Sequence, residues 1–274
     1  MENHKKESIE HKWEVTFELP TLESEAKLLH GFCFVGRDPV DFRPMIYKQH
    51  PKLKEMIDGT EDKDEFLKKC REYAESYIKE KLETLKQARD NFQAVWERDG
   101  GDAVVDSLCE EFEVDKEILK NGIKANVSIN PICPRYLDKM AYSLFYEFSD
   151  VYVKKVSIHE IIHFLNFHKW RELFPETKRN AYESPHSEWI LSEILVHVII
   201  NENQDIQNFV ENSKSNVYMP WQKILVEGKT LVEYFTPFYL EHLAGKITFA
   251  EFLQQSWTAY KKNKVEIEGE INKK

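Results

Sequence analysis

Apolar side chains recur along this chain with two periods, and the switches between them divide it into elements. Trp13-Glu14-Val15-Thr16-Phe17-Glu18-Leu19 alternates apolar and polar residues before Pro20, the pattern of a half-buried strand. From Asp62 to about Arg98 the chain is dense in Lys, Glu, Ala and Leu. Phe66, Cys70, Tyr73, Tyr77, Leu82, Leu85 and Phe92 fall roughly on one side of it, which predicts a long amphipathic helix with a solvated charged face. Asp99-Gly100-Gly101-Asp102 is the clearest break, and a shorter helix is expected to follow to about Glu113. Lys124 to Asn130 alternates again and runs into Pro131-Ile132-Cys133-Pro134, so it reads as a strand ended by prolines. That strand is expected either beside the functional site, where it would pair with an extended peptide, or as an ordinary sheet edge.

The second half of the chain is patterned for helices. Ile158, Ile161, Ile162, Leu165 and Trp170 recur at helical spacing with no Gly or Pro among them. Further helices are predicted from about Pro185 to Asn201, Thr230 to Ala244 with Gly245 as its stop, and Phe249 to Lys261. The expected class is α+β and mostly helical, with a small sheet and a helical C-terminal part. Residues 1–122 form a strand and long-helix region and 123–274 a second region, either separate or one continuous domain. The charged ends, 1–11 and about 264–274, read as frayed tails.

Composition narrows the function classes. With 42% hydrophobic and 13% aromatic residues, the 274-residue chain has the makings of a folded core. A net charge of -10 argues against nucleic-acid binding, which needs clustered Lys and Arg. The longest apolar run, Trp189 to Ile200, is interrupted by Glu193 and His197 and is too short to span a membrane. Met1 to Lys12 has no apolar segment of the secretory kind. Cys33, Cys70, Cys109 and Cys133 are scattered, which favours reduced thiols, so the expectation is a soluble, cytoplasmic protein with no nucleic-acid or membrane partner and no oligomeric state specified.

The chemistry concentrates at His159-Glu160-Ile161-Ile162-His163. On a helix, residues four apart are neighbours, so both imidazoles can reach one metal ion with a carboxylate beside them. In zinc hydrolases the intervening glutamate is the general base and not a ligand. A third ligand is then needed. The metzincin pattern would place glycine at position 166 and histidine at position 169, but Asn166 and Lys169 stand there, and His168 points to another face.

A glutamate on a later helix is the remaining common solution, and Glu188 and Glu193 are the candidates. Glu188 falls near the first turn of a helix begun by Ser184-Pro185, where the helix dipole already accounts for an acid. Glu193 lies inside a nearly all-apolar run, where an ionised carboxylate requires a compensating cation or donor, a role a zinc ion would fill. His197, one turn on, shares its direction and would orient His159 or serve as a fourth or alternative ligand. A Glu193–His197 pair facing a polar cleft is the structural alternative.

These residues resemble the gluzincins, zinc peptidases with an HExxH helix and a glutamate ligand on a downstream helix. The resemblance covers His159 to His163 and Ser192 to His197. Thermolysin-like members pair Asn-Glu with an Asp one turn later, where this chain has Ser192-Glu193 and His197; aminopeptidase members place Trp three residues before the glutamate, and Trp189 is four before. The match is therefore to the logic of the superfamily.

What the resemblance implies is a zincin-like catalytic core in which His159, His163 and Glu193 hold Zn2+ and Glu160 takes the proton of a metal-activated water. The implied activity is a metallopeptidase acting on a peptide or protein substrate. Tyr182, His186, Tyr234, Tyr239 and His242 are candidate donors to the substrate carbonyl. The alternatives are a catalytically inactive gluzincin-like binding or regulatory protein, using the long charged helix as its surface, and a purely structural zinc site completed by His197.

Overall fold

The computed structural model describes residues 13–35 and 40–272, so the predicted N-terminal tail, residues 1–11, lies outside the described residues. Strand β1 (Val15–Glu18) is followed by α1 (Leu22–His30), α2 (Arg43–Gln49), α3 (Pro51–Ile57), the long α4 (Lys63–Arg98) and α5 (Gly101–Glu111). Next come β2 (Ile123–Ser128), β3 (Arg135–Tyr136), β4 (Ala141–Phe145), α6 (Asp150–Leu173), α7 (Ser187–Glu202) and α8 (Gln204–Phe209). A small hairpin of β5 (Leu225–Val226) and β6 (Lys229–Thr230) leads into α9 (Leu231–Leu243) and α10 (Phe249–Ile271). The chain is mostly helical with a small mixed sheet, as its periodicities predict.

The sheet has the order β1-β2-β4-β3, with β1, β2 and β4 parallel and β3 antiparallel to β4. Phe17 pairs in register with Ala125, and Val127 with Leu144, so the strand before residue 122 and those after it share one sheet. This placement corrects the edge expected for Lys124 to Asn130. Strand β2 is internal, because β1 and β4 take both of its hydrogen-bonding sides. Alternation reports that a strand's two faces differ, not that one of its sides is free. The terminal strands are β1, whose Val15 and Phe17 amides donate to Asp102 and Gln93 side chains, and β3, two residues long.

Helix α4 begins at Asp62, whose side chain accepts from the Glu65 amide, and ends where Gly100 takes the left-handed conformation at φ 75°. It buries Phe66, Cys70, Tyr73, Leu85 and Phe92 as expected, and Trp96 beyond them. Leu82 instead stands 40% exposed, having drifted off the core stripe over this length of helix. The helix packs on β1 and β2 and touches α6.

Two boundaries differ from expectation. Helix α7 starts at Ser187 with His186 at its cap position, not at Pro185, although Glu188 does sit in the first turn. Residues 264–271, expected to fray, continue α10. Ile267 and Ile271, four apart, are buried, and Glu268 accepts hydrogen bonds from Ser187 Oγ at 2.6 Å and Tyr260 Oη at 3.0 Å. That apolar pair and the Glu268 anchor hold a segment whose charge alone suggests a tail.

Helix α6 is buried almost all round, between β4, α4, α5, α7 and α10. The core stripe predicted from Ile158, Ile161, Ile162, Leu165 and Trp170 is present, but Val153, Phe164 and Phe167 are buried as well. Helix α7 is apolar on every side from Trp189 to Ile200 apart from Ser192, Glu193 and His197. Two central helices packed together thus carry their few polar side chains into the interior. Among the described residues no helix is long and apolar enough to cross a membrane, and all four cysteines are free thiols.

Candidate metal centre

Those few polar side chains meet at one point. Consecutive turns of α6 bring His159 Nε2 within 3.1 Å of His163 Nε2, and α7 presents Glu193 to both. Glu193 Oε2 lies 3.5 Å from His159 Nε2, and Oε1 lies 3.4 Å from His163 Nε2. Four donors about 2.0–2.1 Å from a tetrahedral zinc ion stand about 3.3 Å from one another. The two imidazole nitrogens stand close to that spacing and each is met by one oxygen of the Glu193 carboxylate, so the donor set of the residues present fits a zinc ion. His159, Glu160 and His163 also bring ligand-capable atoms within 4.8 Å of one another.

The surroundings prepare these groups for that role. His163 is fully buried, and its Nδ1 lies 2.6 Å from Ser192 Oγ, a hydroxyl that Asn166 Nδ2 also contacts at 3.3 Å. Burial, with the Arg135 charge, drives the His163 pKa down to about 3 and leaves its imidazole neutral, the form that donates a lone pair to a metal. Since Ser192 precedes Glu193, one turn of α7 places both a candidate ligand and the hydroxyl that contacts another. Burial also pulls His159 down, but Glu193 and Glu160 outweigh it and its pKa is raised. Burial alone would raise Glu193; His163, His159 and Arg135 together hold its carboxyl well below the usual range.

Glu160 sits beside this cluster on α6, with Oε1 3.9 Å from His159 Nε2. Its Oε2 is buried and has no hydrogen-bond partner. Burial pushes the carboxyl up to about 7, against the pull of His159 and Arg135. A carboxyl poised near neutrality with a free lone pair is suited to take up and release a proton.

His197 packs its ring 5.2 Å from that of His159, and its Nδ1 lies 2.6 Å from Ser215 Oγ. It flanks the cluster, tying the segment after α8 to the site. Glu188 stays in the first turn of α7 and does not line the cavity.

A cavity of about 80 Å³ opens over the cluster. His159, Glu160, Glu193 and Arg135 form its polar floor, while Phe32, Phe42, Ile132, Trp189 and Tyr218 supply apolar walls. None of the five donor candidates lines it among the described residues. Tyr239 and His242 are drawn to Glu111, at 2.5 and 3.7 Å, and Tyr234 accepts from Asn263. His186 bonds to Glu183 O and Asn180, and Tyr182 is buried against Phe167. The phenol that lines the cavity is Tyr218, set by ring contacts with Phe42, Trp189 and Trp221.

Arg135, the first residue of β3, was silent in the sequence. Its Nη1 donates to Glu193 Oε1 at 3.0 Å, Nη2 donates to Tyr182 O at 3.3 Å, and its guanidinium lies 5.4 Å from the Phe167 ring centroid. The cation demanded by a carboxylate inside α7 is therefore already supplied by the protein. This changes the inference drawn from Glu193: its burial alone does not require a metal, whereas the convergence of two imidazole nitrogens on it does favour one.

A groove of about 630 Å³, lined by Arg135, Tyr136, Leu137, Arg179, Glu183 and Ser184 among others, runs along β3 and shares Arg135, Glu183 and Ser184 with the cavity. The groove along this terminal strand thus leads to the cluster. No protein-family model, curated protein or solved structure matches this chain.

Proposed function

We propose that this chain is a zinc-dependent hydrolase, a metallopeptidase of gluzincin type with a zincin-like core. The observation that carries the proposal is the convergence of His159 Nε2, His163 Nε2 and the Glu193 carboxylate, with the unpartnered Oε2 of Glu160 beside them. A zinc ion held there supplies Lewis acidity and lowers the pKa of a bound water. The chain's own residues account for the rest. Glu160, near pKa 7, accepts a proton and returns it to the leaving amine. Ser192 fixes the His163 ring, and Tyr218, the phenol that lines the cavity, is the candidate donor to a developing oxyanion.

A peptide substrate is favoured by the groove along the terminal strand β3, which shares Arg135, Glu183 and Ser184 with the cavity and would lead an extended chain to Glu160. Free thiols and the lack of a membrane-crossing helix among the described residues fit a cytoplasmic setting.

The second reading, a binding protein that keeps the site without turnover, is favoured by Arg135, which already balances Glu193. Digestion of a broad peptide library by the zinc-loaded and metal-free protein separates the two. Cleavage that appears only with zinc supports the hydrolase; stoichiometric zinc with no cleavage supports the binding protein.

A further inference from the structure

Two donors on one guanidinium hold β3 to the floor of the cavity. The Arg135 side chain is only 8% exposed; Nη1 binds Glu193 Oε1, Nη2 binds Tyr182 O, and Nε is buried without a partner. The Phe167 ring, 5.4 Å away, also stacks on the His163 ring at 5.8 Å and 12°. An arginine so fixed cannot swing away from the cluster as a surface side chain would.

Its position has two consequences for a divalent ion. The charge-assisted bond draws electron density to Oε1, which also faces His163 at 3.4 Å, and leaves Oε2, facing His159 at 3.5 Å, as the oxygen without that competitor for a ligand bond. A carboxylate pinned in this way favours one oxygen over the other. The guanidinium is also a fixed positive charge in contact with the ligand carboxylate, so it opposes a second cation while neutralising Glu193 when none is present. An arginine serving only the fold would do neither.

We propose that Arg135 is the positioning residue of this site, holding Glu193 as a one-oxygen ligand and limiting how tightly the cluster retains a divalent ion. The proposal rests on the metal-site reading above. It makes the site an exchangeable one with an open position, in contrast to a closed structural centre.

The test uses the full chain, stripped with a chelator and reloaded with Zn2+ or Co2+. Zinc affinity is read by competition with a chromophoric chelator, and the cobalt coordination number from its visible spectrum. Wild type is expected to give the intense cobalt bands of a four-coordinate site. Arg135→Met is expected to bind zinc at least tenfold more tightly than wild type and to weaken the cobalt bands as Glu193 engages both oxygens. Arg135→Lys, which keeps the charge, is expected to stay within a few fold of wild type. An Arg135→Met protein with unchanged or weaker zinc affinity and an unchanged cobalt spectrum overturns the proposal. A five- or six-coordinate spectrum in wild type overturns it even if Arg135→Met does not fold. Failure of wild type to take up either ion is a different result, and overturns the metal-site reading itself.

Discussion

His159 and His163 turn their Nε2 atoms toward each other across 3.1 Å. Two imidazole lone pairs at that distance repel unless a proton or a metal ion lies between them, and Glu193 adds its oxygens at 3.5 and 3.4 Å. The cluster is thus arranged around a shared proton or a metal ion, with Arg135 balancing Glu193 from the side.

If Glu160 is the proton acceptor, replacing it with an isosteric amide removes the base and spares the ligands. Glu160→Gln is expected to retain zinc and lose about 10²- to 10⁴-fold in the rate of peptide cleavage. Turnover comparable to wild type, measured on the same zinc-loaded preparation, would exclude Glu160 from this role.

Ser192 acts on the site through His163, 2.6 Å from its Nδ1. Ser192→Ala frees that ring to reorient and is expected to weaken zinc binding about 10- to 100-fold, read by chelator competition, while the circular dichroism spectrum stays that of the wild type. An unchanged affinity would show that ring packing against Phe167 alone orients His163.

Glu25 on α1 gives the fold a pH dependence away from the metal centre. It is buried, accepts from Ser128 Oγ at 2.8 Å and the Ile129 amide at 3.1 Å, and burial still pushes it from about 4.5 up to about 7. The folded state therefore holds this proton more tightly than the unfolded chain. Its contribution is complete below about pH 4.5 and is lost as pH rises through 7, a loss of up to about 3 kcal/mol relative to Glu25→Gln. Urea unfolding of both proteins at pH 5 and pH 8 measures it; parallel behaviour of the two would contradict the assignment.

Two glycines predict opposite signs. A Cβ on Gly101 would lie 2.2 Å from the Trp96 ring, so Gly101→Ala is expected to destabilise by about 1–3 kcal/mol. Gly31 has helical φ and nothing within 4 Å of its Cβ position, so Gly31→Ala is expected to stabilise by about 0.4–1 kcal/mol. Denaturant midpoints of the two variants check both.

Much of the candidate centre was legible because its signals are local. The four-residue interval of His159 and His163 fixes a shared helix face, and Glu193 stands out as a lone acid in an apolar run. Arg135 was not legible. It reaches Glu193 across 58 positions only because β3 pairs with β4, and a two-residue strand leaves no periodicity to read. Tyr218 lies in a segment without regular pattern and reaches the cavity through ring contacts that only the fold creates. The end of α10 did carry a signal, Ile267 and Ile271 one turn apart, hidden by the charged residues around them.

The account turns on whether this cluster holds zinc, and the metal content of the purified protein answers that most directly. Elemental analysis after growth with zinc and extensive dialysis is expected to find about one zinc ion per wild-type chain. Glu160→Gln is expected to keep that ion, while His159→Ala and Glu193→Ala are expected to lose it. A folded wild-type protein that carries no zinc and takes none up on addition would contradict the account.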